Sequence, residues 1–372
     1  MAQKISMQQL ADRLGVSKYT VSQALSGKPG VSEATRREVT ALAAALGYGL
    51  KTSPADARLS PNDTKKLYIG LDERHVKEPN FWQRVIEGLE AGCRLHGLAP
   101  HFFAFGQHAY SAADFPAQLG IEDAAADGAG FLIAGSCPLS TLLQLKHFGL
   151  PMVLADHEEP LTGADAVLNA NTEAGRMACR HLLSKGCRSL VFAGRDSFAV
   201  SFRERWWGCR QAMEEAKEPR RSQTSADTGA MPTFVYAGRG AAGDPRALQL
   251  KKWTLPYGNM PVRTWQPALE RRIEAASAEG SLPDGIICAN DDIALHALQV
   301  LAARGLHPGI RVVGIDNTAP GMEASVPLTT VDLAKEWLGI RAVEAFIRRA
   351  RQPEAQPEKI ILSARLLVRK SG

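Results

Sequence analysis

Residues 6–27 read Ser6-Met7-Gln8-Gln9-Leu10-Ala11-Asp12-Arg13-Leu14-Gly15-Val16-Ser17-Lys18-Tyr19-Thr20-Val21-Ser22-Gln23-Ala24-Leu25-Ser26-Gly27, and this run predicts two short helices joined by a tight turn. Met7, Leu10, Ala11 and Leu14 fall at the i, i+3, i+4, i+7 spacing of a helix packed on one face. Gly15 ends that pattern, Ser17 is a natural N-cap, and Val21, Ala24 and Leu25 resume it. Ala11 is small enough for a close helix crossing, Gly15 allows non-helical dihedrals, and Val21 locks the second helix onto the first.

A third helix is signalled by Ser32 as N-cap, with Thr35 and Arg36 behind it and apolar positions at Val39, Leu42, Ala43 and Leu46 before Gly47. Within residues 1–40, Lys4, Arg13, Lys18, Lys28, Arg36 and Arg37 are opposed only by Asp12, Glu33 and Glu38. That local excess of positive charge suits a phosphate-contacting face, whereas the net +5 of the 372-residue chain is too mild to imply nucleic acid by itself.

The chain exceeds one average domain, so a small module plus a larger one is expected. Apolar residues make up 45% and charged residues 22%, and no uninterrupted apolar stretch is long enough to span a bilayer, so a soluble protein is expected. The start of the chain lacks the apolar core of a signal peptide, which predicts a cytoplasmic protein. The six cysteines (Cys93, Cys137, Cys179, Cys187, Cys209 and Cys288) are scattered singly and read as reduced, packed thiols; neither a metal site nor a cofactor is expected.

Between residues 49 and 66, Pro54, Pro61, Ser53 and Ser60 interrupt every apolar pattern, as in a linker. Beyond it, strand-like runs at 67–71, 101–105, 130–135, 152–156, 190–194, 285–290 and 311–316 alternate with helical patterns at 81–96, 173–185, 203–217, 266–279, 292–304 and 334–350. Buried strands in βα alternation predict parallel sheets covered on both faces. Residues 218–263, rich in Gly, Pro, Ser, Thr and Arg around one strand-like run at Thr233–Tyr236, read mostly as a surface excursion.

The string Ser6–Ala11, Gly15-Val16-Ser17, Thr20-Val21-Ser22, Leu25-Ser26-Gly27, Val31-Ser32, Thr35-Arg36 and Leu46-Gly47-Tyr48 resembles the headpiece of the LacI/GalR repressor family. The resemblance continues through Ala289-Asn290-Asp291, Val313-Gly314-Ile315-Asp316-Asn317 and Pro327-Leu328-Thr329-Thr330-Val331, so it covers nearly the whole chain apart from 218–263. It implies a small all-α helix-turn-helix domain followed by an α/β two-lobed periplasmic-binding-protein-like domain with parallel sheets of type I. The expected divisions are a DNA-binding headpiece at 1–48, a hinge at 49–66, and an effector-binding and dimerisation domain at 67–372. Its N-lobe is expected at about 67–168 plus 333–358, and its C-lobe at about 169–332 plus 359–370.

The family resemblance further implies a cytoplasmic homodimer that reads a pseudo-palindromic operator, each protomer laying its second helix in a major groove. On that helix Ser17, Lys18, Tyr19, Ser22 and Gln23 face outward; Lys18 suits guanine, Gln23 adenine, and Tyr19 a thymine methyl. Arginine is common in the family where Gln23 stands, which predicts a preference shifted away from guanine. Ser6, Met7, Thr20, Ser32, Thr35 and Tyr48 complete the expected DNA-binding set, the hydroxyl-bearing ones as phosphate contacts. In the linker, Leu59 is either a minor-groove wedge or part of an uncontacting tether.

For the effector, Asp316, Asn290, Arg205 and Asp156 match positions that contact ligand in the family, and Asp72 is a further acidic residue at a strand end. Phe81 is a stacking candidate, with Trp82 behind it. Asp291 and Asn317 read rather as a helix cap and a turn organiser, and Lys335 occupies another position that often lines the pocket. A neutral mono- or disaccharide is expected, with a phosphorylated sugar second. The function expected is a transcriptional regulator, a repressor responding to a small molecule. A periplasmic-type sugar-binding protein is the alternative, which residues 1–48 oppose. No nucleophile–base pair, P-loop or Gly-rich dinucleotide turn points to an enzyme.

Overall fold

A computed structural model of the chain describes residues 7–25, 31–32, 35–39, 42, 65–74, 76, 80–108, 110–111, 114–217, 247–258 and 264–372. Ser6, Tyr48, Leu59, the strand-like run at Thr233–Tyr236 and nearly all of the hinge lie outside these residues. The chain parts into two compact units, residues 1–63 with 351–353 and residues 64–350 with 354–372.

In the first unit, α1 (Met7–Leu14) and α2 (Lys18–Leu25) form the expected pair. Gly15 takes φ 64° at the turn, and Val16 N–H donates to the Ala11 carbonyl at 3.1 Å, closing the end of α1. Leu10, Ala11, Val21, Ala24 and Val39 are buried together, the last from a helical stretch at 35–39. Arg36 donates from Nη1 to the Ala24 carbonyl, tying that stretch to the end of α2.

The second unit contains two six-stranded sheets. The first has the order β11-β5-β4-β3-β1-β2, built from β1 (Lys66–Asp72), β2 (Ala99–Phe105), β3 (Gly128–Ala134), β4 (Met152–Ala155), β5 (Asp165–Asn169) and β11 (Lys359–Leu362). The second has the order β12-β10-β9-β8-β6-β7, from β6 (Ser189–Gly194), β7 (Gln249–Thr254), β8 (Gly285–Cys288), β9 (Arg311–Ile315), β10 (Thr329–Asp332) and β12 (Arg365–Leu367). All pairings are parallel except β10 with β12. Each lobe therefore repeats one plan: its opening strand, β1 or β6, lies between the two strands that follow it.

Each lobe also carries a helix pair in backbone contact through glycine. In the first lobe, α3 (Trp82–His96) meets the long helix Lys335–Arg351, and a Cβ on Gly88 would lie 2.1 Å from the Glu336 carbonyl oxygen. In the second, Asn171–Ser184 meets Val200–Lys217; a Cβ on Gly175 would lie 1.9 Å from the Arg205 oxygen, and one on Gly208 1.9 Å from the Thr172 oxygen. Only hydrogen fits at these crossings, so helix position is set by residue type at a few points.

Three details correct the expectations. Lys359–Leu362 pairs with β5, so the last passage from first to second lobe falls after Leu362 and not at 359. Within the supposed excursion, Gln249–Thr254 is the edge strand of the second sheet; its lysines face outward and only Trp253 is buried, so it lacks the apolar run of an interior strand. Asp165–Asn169 is a strand too, although its buried aspartate and asparagine break the apolar pattern. No helix among the described residues is long and apolar enough to cross a membrane.

Candidate functional site

The outward surface of α2 carries the base-reading candidates. Tyr19 is 72% exposed, Lys18 and Ser22 are exposed, and Gln23 is half-buried. Ser17 is occupied differently: its Oγ accepts the Thr20 N–H at 2.9 Å, capping α2, and lies 2.8 Å from Thr20 Oγ1. Ser32 and Thr35 repeat the arrangement at 3.1 and 2.8 Å. These four residues thus fix where two helices begin, and the exposed residues of the face besides Ser17 are Lys18, Tyr19 and Ser22. Met7 is half-buried against the small core.

In each lobe the strand order reverses beside the opening strand, which places a crevice at the carboxyl ends of β1/β3 and of β6/β8. Among the described residues the non-glycine positions with positive φ are Asp156 (54°), Asp316 (124°) and Asn317 (52°), all just past strand ends. Backbone strain of this kind persists where surroundings impose it, and it gathers at binding sites.

Arg205 organises the second lobe's side. Its side chain is 4% exposed; Nε donates to Asn171 Oδ1 at 3.0 Å, Nη1 to the Ala289 carbonyl at 2.6 Å, and Nη2 to Asp316 Oδ1 at 3.0 Å. Burial pushes the Asp316 carboxyl up to about 7, against the pull of Arg205. Lys335, buried at the start of its helix, donates from Nζ to the Asp316 carbonyl, so it supports this loop and is not an open lining group. Across the lobes, burial raises Asp156 to about 6; the Arg205 charge opposes that rise and Glu204 adds to it. Asn169 at the end of β5 donates from Nδ2 to Asp156 Oδ1 at 3.2 Å.

The helix cap expected at Asp291 falls one residue earlier. Asn290, not Asp291, caps the helix Asp291–Ala303, its Oδ1 accepting the Ile293 N–H at 3.1 Å while Nδ2 donates to Tyr257 Oη at 2.8 Å. Asp291 is the first residue of that helix, fully buried, and accepts from Thr318 N–H at 2.8 Å and Thr330 Oγ1 at 2.6 Å. Asn317 braces a turn, donating to Asp332 and accepting from Arg369.

Asp72 has no exposed surface, and its carboxylate accepts from the Arg74 backbone, from Arg74 Nε and Nη2, and from Gln107 Nε2 at 2.7 Å. It therefore acts as the anchor of a half-exposed Arg74, which is the group presented. Phe81, just before α3, is half-buried and packs against the core of the second lobe, so it sits where the lobes meet; Trp82 is buried behind it with ring centroids 5.2 Å apart.

Sequence reasoning missed an aromatic wall on the second lobe. Tyr257 meets Phe198 (5.0 Å between centroids), Phe202 (5.4 Å) and Trp265 (5.6 Å), and Phe202 in turn lies under the Arg205 guanidinium. Tyr257 comes from the segment read as an excursion; the run Lys252-Trp253-Thr254-Leu255-Pro256-Tyr257 carried the signal, an edge strand with an aromatic at its exit.

Residues 6–49 match the family model for bacterial regulatory proteins of the lacI family, and residues 179–372, more than half the chain, match that for a periplasmic binding protein-like domain. An HTH-type transcriptional repressor PurR of Actinobacillus pleuropneumoniae serotype 3 is 24% identical over 376 residues, covering 98% of both chains. Among solved structures, the transcriptional regulator CelR in complex with cellobiose aligns with a TM-score of 0.61 at 21% identity, covering 99% of this chain and 100% of that one. A lac repressor dimer bound to operator and an anti-inducer aligns with a TM-score of 0.59 at 17% identity, covering 99% of each; both structural likenesses speak to the fold. With a helix-turn-helix unit ahead of two parallel α/β lobes, this chain belongs to the lacI family of bacterial regulatory proteins.

Proposed function

We propose that the protein is a cytoplasmic, homodimeric transcriptional repressor that binds a pseudo-palindromic operator and changes its affinity when a carbohydrate enters the cleft between the two lobes. The observation that carries the reading is the buried Arg205–Asp316 pair, tied to Asn171 and Ala289, with Asp156 of the other lobe within reach of its charge. A carboxylate, amides and a guanidinium around an aromatic wall are the groups that bind vicinal hydroxyls and a sugar ring face. CelR, similar in fold, is a regulator solved with cellobiose, which supports the ligand class.

In this reading Phe81, Asp156, Arg205, Asn290 and Asp316 contact the effector, with Tyr257 as the stacking surface and Asp72 acting through Arg74. A ligand that touches both lobes stabilises one relation between them by its differential affinity for the two states, and that changes the spacing of paired headpieces. Lys18, Tyr19, Ser22 and Gln23 read bases, while Thr20, Ser32 and Thr35 set the register on phosphates together with Ser6 and Tyr48, and Met7 and Ser17 complete the DNA-binding set. The function is regulatory and not enzymatic. Selection from a randomised duplex pool tests it: an inverted repeat with two half-sites is expected, and enrichment of no common sequence would contradict it.

A further inference from the structure

Asn169 is 4% exposed, and its side chain is directed at Asp156 through the 3.2 Å bond from Nδ2. The opposite amide orientation would set a carbonyl against a carboxylate, so the bond fixes Oδ1 as the remaining atom. That Oδ1 is buried and has no hydrogen-bond partner. A desolvated acceptor left unpaired is costly, so an explanation is required. His157, next to Asp156 in sequence, likewise has a buried Nε2 without a partner, and burial holds its imidazole toward the neutral form. Asp156 itself has a left-handed backbone, with φ 54°.

We propose that Asn169 is a direct effector contact whose Oδ1 accepts a hydrogen bond from a ligand hydroxyl lying beside Asp156. The proposal rests on the carbohydrate reading above and deepens it by stating which end of the ligand is buried here. Asn169 Oδ1 and the Asp156 carboxylate are two acceptors on side chains joined by one hydrogen bond, and Glu204 adds a second carboxylate close enough to raise Asp156. Arg205 also reaches Asp156 electrostatically, but three of its five N–H groups are directed at Asn171, Ala289 and Asp316, and its charge is paired with the Asp316 carboxyl. A phosphate or carboxylate has no hydrogen to offer such acceptors, whereas a hydroxyl donates one and accepts another. The buried end of the effector therefore carries a hydrogen-bond donor and no anionic group, which on the carbohydrate reading is a sugar hydroxyl.

The full-length protein is titrated calorimetrically with D-glucose, D-galactose, D-mannose, D-ribose, cellobiose, maltose, glucose 6-phosphate and glucuronate. The sugar that binds is then compared with each of its monodeoxy derivatives, for the wild type and for Asn169→Val. One deoxy position is expected to weaken wild-type binding about tenfold. Asn169→Val is expected to lose the same factor for the parent sugar and nothing more at that deoxy position. A structural role, or a water in place of the ligand, gives additive losses at every position; that pattern, or tightest binding by glucose 6-phosphate or glucuronate, overturns the proposal. If no compound binds the wild type, the carbohydrate reading itself fails, a result distinct from additive losses.

Discussion

Replacing Arg205 with leucine is the sharpest perturbation of the ligand-binding unit, because the pair Arg205–Asp316 is nearly sealed from solvent, at 4% and 12% side-chain exposure. Arg205→Leu leaves Asn171 Oδ1, the Ala289 carbonyl and Asp316 Oδ1 without their donor. The outcome depends on pH. The folded Asp316 carboxyl, at about 7, stands above the unfolded value of about 3.9, so the stability it contributes is fully present below the unfolded value and lost as pH rises through the folded one. Losing the Arg205 charge raises it further. Near about pH 5 the carboxyl is largely neutral in both proteins, and the variant loses only neutral contacts, roughly 1–3 kcal/mol. At about pH 8 the wild-type carboxyl is ionised and compensated while the variant's stays protonated, and one pH unit above the wild-type value adds up to about 1.4 kcal/mol to the loss. Urea unfolding followed by circular dichroism at the two pH values measures the difference. An equal loss at both, or a loss below about 1 kcal/mol, would refute the account of Arg205 as the charge that holds Asp316.

Gly208→Ala places a methyl 1.9 Å from the Thr172 oxygen, so the helix carrying Arg205 must withdraw; overpacking of roughly 1–3 kcal/mol exceeds the gain in helix propensity, and a thermal midpoint at or above wild type would contradict this. Gln23→Arg is expected to move the preferred base toward guanine in an operator selection, by roughly 1–3 kcal/mol of discrimination, and an unchanged preference would remove Gln23 from the base-reading set. Tyr257→Ala is expected to weaken binding of the responding sugar about tenfold in calorimetry with DNA affinity unchanged; unaltered sugar binding would remove the ring from the cleft.

The headpiece was legible because each of its features is local: the i, i+3, i+4 spacing, the glycine at the turn and the serine caps all lie within a few residues of what they determine. The interior strands were legible for the same reason, as short apolar runs between helices. Asp165–Asn169 and Gln249–Thr254 were not, because the first hides a buried ion pair with Arg348 and Arg349, and the second is an edge that needs little apolar surface. Among site residues, Arg205 and Asp316 were read from a resemblance and come together 111 positions apart, a pairing that local pattern does not report. Asp72 was read as an effector-site candidate because it ends a strand; only the structure shows Arg74 and Gln107 bonded to it. The cap read at Asp291 belongs to Asn290, and Asp291 accepts from Thr318 instead, since neighbouring residues at a helix start share the same propensities and differ only in which way they point.

The central claim is that one chain couples a ligand cleft to operator binding. A mobility-shift titration of the full-length protein on the promoter region of its own gene, with and without each sugar of the panel, measures that coupling directly. A retarded complex is expected, with an affinity that changes severalfold with at least one sugar, and a smaller change with Arg205→Leu. No retardation under any condition, or retardation indifferent to every sugar, would contradict it.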